Sequence, residues 1–248
     1  MKIDHLVVNV NKEIQENKEM IKNVHSIGLP YVPKWGKGTK GFKVSNIWIG
    51  KEYLELVRVK TEDGGGWVQD WTRKYHDGHR GLIGLAIDVE NIDNVYEKMI
   101  KDGIKITKPK PLQFRWFFNL FKKTMPWENA YIQPMKGMPF QFFLQQMNDQ
   151  KSREYMEKYM YPNSVEEGVE GIIAVKLYGE VTIEDRNIIG SLFSDVTNGE
   201  KEIIIRLKNQ AIHLIQSNEH FIEIILDCQN EAYRGKKLKI ENVTLINV

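Results

Sequence analysis

The segment Ile3 to Val10, IDHLVVNV, returns in altered form at Leu82 to Val89, LIGLAIDV, with Leu6-Val-Val-Asn-Val10 standing over Leu85-Ala-Ile-Asp-Val89. The stretches downstream of the two copies are also alike. After the first, Asn11 offers an N-cap, and Ile14, Met20, Ile21 and Val24 recur at roughly helical spacing until Gly28 ends the run. Pro30 to Trp35 then reads as a short strand, with Phe42 to Ile49 and Glu52 to Val59 as two better ones about the turn Gly50-Lys51. After the second copy, Asn91 caps a helix bearing Ile92, Val95, Met99 and Ile100, and Gly103 closes it. Ile104 to Ile106, Ala130 to Gln133 and Phe140 to Gln146 supply three more strands. A repeated supersecondary unit restricts the fold more than any compositional figure does. Each βαβββ unit is one small sheet with one helix and cannot bury both sheet faces alone. Pairing two units leaves the helices outside and a concave, ligand-sized space inside.

The expected class is therefore α+β: tandem βαβββ units forming a curved mixed sheet with outer helices, plus a third βαβββ-like unit at the C-terminus. Residues 1–148 form the paired domain, with units at about 1–60 and 81–148, and a charged helical linker occupies 149–165. In the third unit, 166–248, Ile172 to Leu177 reads as a strand and Thr182-Ile-Glu-Asp185 as a capping box with Asp for the usual Glu. Ile188, Ile189, Leu192 and Phe193 give the helix its apolar side; Lys201 to Lys208, Ala211 to Gln216 and Phe221 to Asp227 complete the three strands, and Leu238 to Val248 adds a last one. Phe221-Ile-Glu-Ile-Ile225 also echoes Tyr53-Leu-Glu-Leu-Val57. A lone third sheet would leave an apolar face and free edges. Packing on the paired units or a homodimer contact is expected to cover them.

Composition narrows the function classes. A net charge of +2, with basic residues dispersed among acids, argues against a nucleic-acid partner. No segment approaches the ~20 consecutive apolar residues that cross a bilayer, and the N-terminal apolar run is too short and interrupted for a cleavable signal. One cysteine, Cys228, excludes an intrachain disulfide and a cysteine-built zinc site. These features together suggest a cytoplasmic protein. No phosphate-cradling loop, nucleophile elbow or metalloprotease helix is present, and Gly64-Gly-Gly66 lacks the Lys-Ser/Thr and helix that a nucleotide loop requires.

Ile3-Asp-His-Leu-Val7, Ser45-Asn46, Gly50-x-x-Tyr53-Leu-Glu-Leu56, Asp88-Val89-x-Asn91-Ile92 and Pro139-Phe-Gln-Phe-Phe-Leu-Gln145 follow one another in order over about residues 1–148. In this the chain resembles the glyoxalase-like branch of the vicinal oxygen chelate superfamily. The resemblance implies a divalent metal (zinc, nickel, manganese or iron) held by a first-strand His and a fourth-strand Glu in each unit. That metal would chelate two neighbouring substrate oxygens and act as a Lewis acid in lyase, isomerase or dioxygenase chemistry. His5 and Glu55 occupy those metal positions in the first unit, with Glu55 also the catalytic candidate. In the second unit Gly84 stands where the next His should be and Gln145 is the nearest match to the second Glu. Two strong ligands are fewer than the three usual in catalytic sites; His76 or His79 is a candidate for a third.

Strict alternation sets Ile3, His5 and Val7 on one face, and Tyr53, Glu55 and Val57 on the matching face of the other strand. Asn46 and Gln145 are the amides expected to orient a ligand. Two insertions stand near them. Thr61 to Arg80 carries Trp67 and Trp71 behind its glycines, and Leu112 to Asn129 carries Phe114-Arg-Trp-Phe-Phe118, Leu120-Phe121 and Lys122-Lys123. Long insertions of this kind serve as lids, touch membranes, or pack over a sheet edge; Arg115 and Trp116 are the binding candidates there. The expected ligand is a small, oxygenated, partly apolar molecule. The alternative to metal chemistry is a metal-free binding or sequestering module without catalysis, in which His5 and Glu55 form a hydrogen-bonded pair.

Overall fold

The computed structural model of the chain describes every residue except 117–120, and the side chains of 114–123 also lie outside the described residues. In chain order the first half contains β1 (Lys2–Asn9), α1 (Lys12–Glu16), α2 (Lys18–His25), β2 (Lys37–Gly38), β3 (Phe42–Ile49), β4 (Glu52–Val59) and α3 (Gln69–His76). Next come β5 (Gly81–Asp88), α4 (Ile92–Lys101), β6 (Lys110–Trp116), β7 (Phe121–Tyr131) and β8 (Gln141–Met147). These strands make one eight-stranded sheet in the order β2-β3-β4-β1-β5-β8-β7-β6. The two units join where β1 runs antiparallel to β5, and each unit closes on itself by a parallel pair, β1 with β4 and β5 with β8. The α+β architecture of tandem βαβββ units is thus present in the chain.

The local details follow their caps and turns. The expected first helix is two helices, because the Asn17 side chain accepts from the backbone N–H groups of Glu19 and Met20 and starts α2 afresh. Asn11 instead accepts from the Arg80 guanidinium. Asn91 caps α4 as expected, accepting from the Asn94 N–H. Pro33–Trp35 is a short helical turn rather than a strand. The stretch read as an insertion at Leu112 to Asn129 is largely the β6–β7 pair, which forms the edge of the sheet, while Ile104 to Ile106 contributes only a bridge from Ile106 to Ile132.

After α5 (Gln150–Glu157) comes a second sheet built from β9 (Val169–Gly179), α6 (Ile183–Leu192), β10 (Val196–Asn198), β11 (Glu202–Leu207), β12 (Gln210–Gln216), β13 (Phe221–Cys228), β14 (Lys237–Ile240) and β15 (Val243–Asn247). Its order, β10-β11-β12-β9-β13-β15-β14, repeats that of the first sheet. β9 pairs parallel with β12, β13 runs antiparallel to β9, and β13 pairs parallel with β15. Phe221 to Asp227 therefore opens a shortened fourth unit without a helix, instead of closing the third. Its likeness to Tyr53–Val57 has no counterpart in topology, since β12 holds the place that β4 holds in the first sheet.

One continuous apolar cluster links the two sheets. Leu6, Val8, Leu54, Leu56, Leu85 and Ile87 from one face of the first sheet belong with Val24 of α2, Met99 of α4, Ile188 and Ile189 of α6, and Val175 and Ile224 of the second sheet. The second sheet's inward residues are thereby covered. Buried polar groups fix the register of the halves. The Glu52 carboxylate accepts from the Ile172 N–H at 3.1 Å, and Asn163 binds both the N–H and the carbonyl of Gly50. Asp185 completes the expected capping box at Thr182 and also accepts from the backbone N–H groups of Lys136 (2.6 Å) and Gly137 (2.9 Å). Asp185 is fully buried, so its removal leaves three backbone donors without partners. Asp185→Ala is expected to lower stability by about 3 kcal/mol, read from urea unfolding. A loss below about 0.5 kcal/mol would mean that this carboxylate does not hold the halves together.

A candidate ligand site on the concave face

The two faces of the first sheet are covered by different means, and one only in part. The face opposite the helices carries Val44, Asn46 and Trp48 of β3, Tyr53, Glu55 and Val57 of β4, His5 and Val7 of β1, and Gln141 and Phe143 of β8. A β-bulge alters the expected alternation. Ile3 pairs with Ile87 and His5 with Ala86, so Asp4 is an extra residue in β1. Ile3 consequently joins Leu6 and Val8 on the helix side, not His5 and Val7. Asp4 is turned toward His5 instead: its carboxylate lies 2.6 Å from His5 Nδ1 and accepts from Gln145 Nε2 at 3.0 Å. The imidazole is sandwiched, stacked on Tyr53 with ring centroids 4.4 Å apart and met edge-on by Phe143 at 5.3 Å. Sequence reasoning passed over Asp4 because strict alternation assigns it to the other face; no pattern in the sequence announces the bulge.

Glu55 stands beside His5 and directly opposite Asn46 on β3. Its side chain is half-buried, and among the described residues no hydrogen bond ends on its carboxyl. Burial pushes the Glu55 carboxyl above the ordinary range; His5 opposes that shift and Asp4 adds to it. The Asn46 side-chain oxygen is buried with no partner among the described residues. Gln145 is buried and committed to Asp4. Arg115 and Trp116 belong to β6 by their backbone, and their side chains lie outside the described residues.

The other half of the concave face is filled by the first insertion. The segment read as glycine-led and aromatic is in part α3, whose Trp71, Thr72 and Tyr75 are buried. Trp71 is 2% exposed, donates its indole N–H to Gln141 Oε1 at 2.8 Å, and meets Tyr131 and Phe143 edge-on. Gly84 lies beneath this ring. A Cβ there would fall 2.6 Å from the indole, closer than any non-bonded carbon contact allows. The residue that should mirror the first-unit histidine is a glycine because tryptophan occupies the space. The pairing register adds a second departure. Glu55 faces Val7 across β4–β1, and in the second unit it is Phe143, not Gln145, that faces the corresponding Ala86.

These positions decide whether the donor set suits a divalent ion. The Asp4–His5 contact resembles the carboxylate that often orients a ligating imidazole. Yet the second unit offers Gly84 and Phe143, neither a ligand. His76 is exposed with Nε2 at the Thr61 carbonyl, and His79 contacts Asn9, about 13 Å further along β1 than His5. Burial, with Lys74 and Arg80 adding, holds the His79 imidazole down to about 4. Among the described residues no three His, Cys, Asp or Glu side chains are placed to hold a metal. The residues present do not fit the family's ion.

The open part of the face leads into a pocket of ≈ 490 Å³ lined by Asn46, Trp48 and Val44 from β3, Trp35 before it, and Tyr155, Tyr159 and Tyr161 in and after α5. Trp48 also touches Tyr53, so the pocket wall and the His5–Tyr53 stack are continuous.

A family model described as a glyoxalase-like domain matches residues 3–177. Among solved structures, a hypothetical protein from Staphylococcus aureus superposes with a TM-score of 0.69 at 13% identity, covering 99% of this chain and 98% of that one. A methylmalonyl-CoA epimerase from Streptomyces coelicolor has a TM-score of 0.41 at 15% identity, with 60% of this chain and 99% of that one covered. A hypothetical protein from Bacillus halodurans gives 0.42 at 17% identity over 60% and 96%. Comparison with curated proteins gives no match. No helix among the described residues is long and apolar enough to cross a membrane.

The Trp71–Gly84 contact makes a measurable pair. Trp71→Ala is expected to cost about 4 kcal/mol through the cavity and the orphaned Gln141. Gly84→Ala should be destabilising in the parent and nearly neutral in the Trp71→Ala background, by denaturant unfolding of the four variants. Additive effects would rule out the steric explanation for Gly84.

Proposed function

We propose, for a chain that belongs to the glyoxalase-like domain family, that the concave face of its first sheet binds a small, oxygenated, partly apolar molecule without a divalent metal. The observation that carries this reading is the pairing of Glu55 with Asn46. Both are polar, both face the same half of the concave sheet, and neither the Glu55 carboxyl nor the Asn46 oxygen has a hydrogen-bond partner among the described residues. The unpaired buried Asn46 oxygen costs free energy that a ligand hydroxyl or amine would recover, and the half-buried Glu55 carboxyl beside it is free to take part. The Asp4–His5–Tyr53 stack forms a fixed wall beside them. Apolar contact comes from Trp48 and Val44.

The role of Glu55 is acceptor, or acid and base, toward that molecule. A carboxyl raised by burial holds its proton nearer neutrality than a solvated one and exchanges it more readily with a bound hydroxyl or an acidic carbon. The metal-assisted lyase, isomerase or dioxygenase reading needs more ligands than His5 and Glu55 supply, so no step is assigned to a metal.

The test uses the full chain purified without a metal-binding tag. Zinc, nickel, manganese and iron, each titrated separately, should give no saturable melting shift that His5→Ala abolishes. A small-molecule fragment screen by NMR, run with chelator present, should give hits whose binding weakens at least roughly tenfold in Asn46→Ala or Glu55→Gln. Stoichiometric metal lost in His5→Ala would restore the metal reading. A second expectation concerns pH. Because the folded state raises the Glu55 pKa, the folded protein binds the proton more tightly, and stability falls as pH rises from the ordinary carboxylate range through the raised value. Glu55→Gln should therefore be more stable than the parent at neutral pH, and the difference should vanish below about pH 4. Parallel stability–pH curves for the two proteins would refute this.

A further inference from the structure

We propose that the pocket beside Asn46 takes a planar aromatic molecule bearing a hydroxyl at one end and an anionic group at the other; this rests on the concave face being a ligand site. Three observations converge. The first is the wall. Trp35, Tyr155, Tyr159 and Tyr161 surround the mouth, and each leaves half or more of its surface exposed (55%, 50%, 50% and 59%). Large aromatics left open together on one rim have area to cover, and flat rings cover it best because face-to-face contact adds to simple burial. Trp35 and Tyr161 are nearly parallel, 21° between planes, with centroids 6.4 Å apart, near the upper limit for rings in contact.

The second observation is charge. Among the described residues, the side chains lining the pocket include two lysines, Lys37 and Lys158, and no carboxylate. The Lys37 ammonium lies 5.7 Å from the ring centroid of Tyr159, one of the rim aromatics. An anionic substituent is thus drawn to the mouth. The third is the floor, where the Asn46 oxygen has no partner among the described residues; Glu55, paired with Asn46 on the neighbouring strand, lies behind it and outside the lining. An amide oxygen accepts from a donor and offers nothing to an anion. A molecule entering the pocket is therefore oriented with a hydroxyl inward and its acid outward. The volume of ≈ 490 Å³ admits a two-ring molecule and is generous for a single small acid.

The experiment titrates four probes into the full chain by calorimetry, following indole N–H signals by NMR in parallel. They are a hydroxynaphthoate with hydroxyl and carboxylate at opposite ends, naphthoate, naphthol, and a saturated hydroxydecalin carboxylate. Hydroxynaphthoate should bind at least tenfold more tightly than each of the others. Lys37→Met with Lys158→Met should bring it down to the naphthol level while leaving naphthol unchanged. Asn46→Ala should erase its advantage over naphthoate and leave naphthoate unchanged. Trp35→Leu should weaken all three aromatic probes without altering the melting temperature. If the saturated probe binds as well as the aromatic one and still depends on Asn46, the aromatic class is wrong and the ligand site stands. Lysine variants without effect on any probe would overturn the anionic end. No signal shifted by any of the four, with fragment hits elsewhere on the concave face, would overturn this pocket alone; no hits anywhere would overturn the site reading with it.

Discussion

The antiparallel pairing of β1 with β5 is the constraint on which the rest of this molecule depends. A single βαβββ unit has one face covered by its helix, and its long first strand, β1 in the first unit, is left as an open edge. Joining these edges of two units pairs β1 with β5 and bends the combined sheet around its centre line. Every residue of the candidate site is placed relative to that line: His5 on it, Glu55 one strand away, Asn46 two strands away. The same solution is used again in the second sheet, where β9 and β13 make the equivalent join. Its inward side chains and those of the first sheet form one apolar body, so the second sheet supports the first from the helix side.

Much of the architecture is legible in the sequence because it is written in repeats and caps. IDHLVVNV and LIGLAIDV mark the two central strands, Asn91 marks a helix start, and Thr182 with Asp185 marks another. These signals are local, and the structure keeps them. The features that the sequence conceals are of a different kind. The fourth unit lacks its helix, so the strand Phe221–Cys228 reads as the end of the unit before it. The β6–β7 pair reads as an insertion because its aromatic and basic residues do not alternate cleanly.

The placement of His5, Glu55 and Asn46 on one face was legible in the sequence, since family motifs and strand alternation both point at them. The rest depends on events that alternation cannot express. A bulge of one residue moves Ile3 to the other face and brings Asp4 to the histidine. A helix within Thr61 to Arg80 buries Trp71 although Asp70, Arg73 and Lys74 make the segment look solvated. Gln145 lies in the motif that suggested it, but one pleat away from the position that mirrors Glu55, and its amide is already bound to Asp4. Register, rather than residue type, separates the expected arrangement from the observed one.

The interlock of Trp71 with Gly84 also bears on which sequences lie near this one. A histidine at position 84 has no room while the indole is present, and loss of the indole alone leaves a void under α3. Each single step toward a two-histidine centre thus passes through a poorly folded protein, although the end state with both changes need not be one. The pair is interdependent: while the indole lies over the strand, it sets how large residue 84 can be.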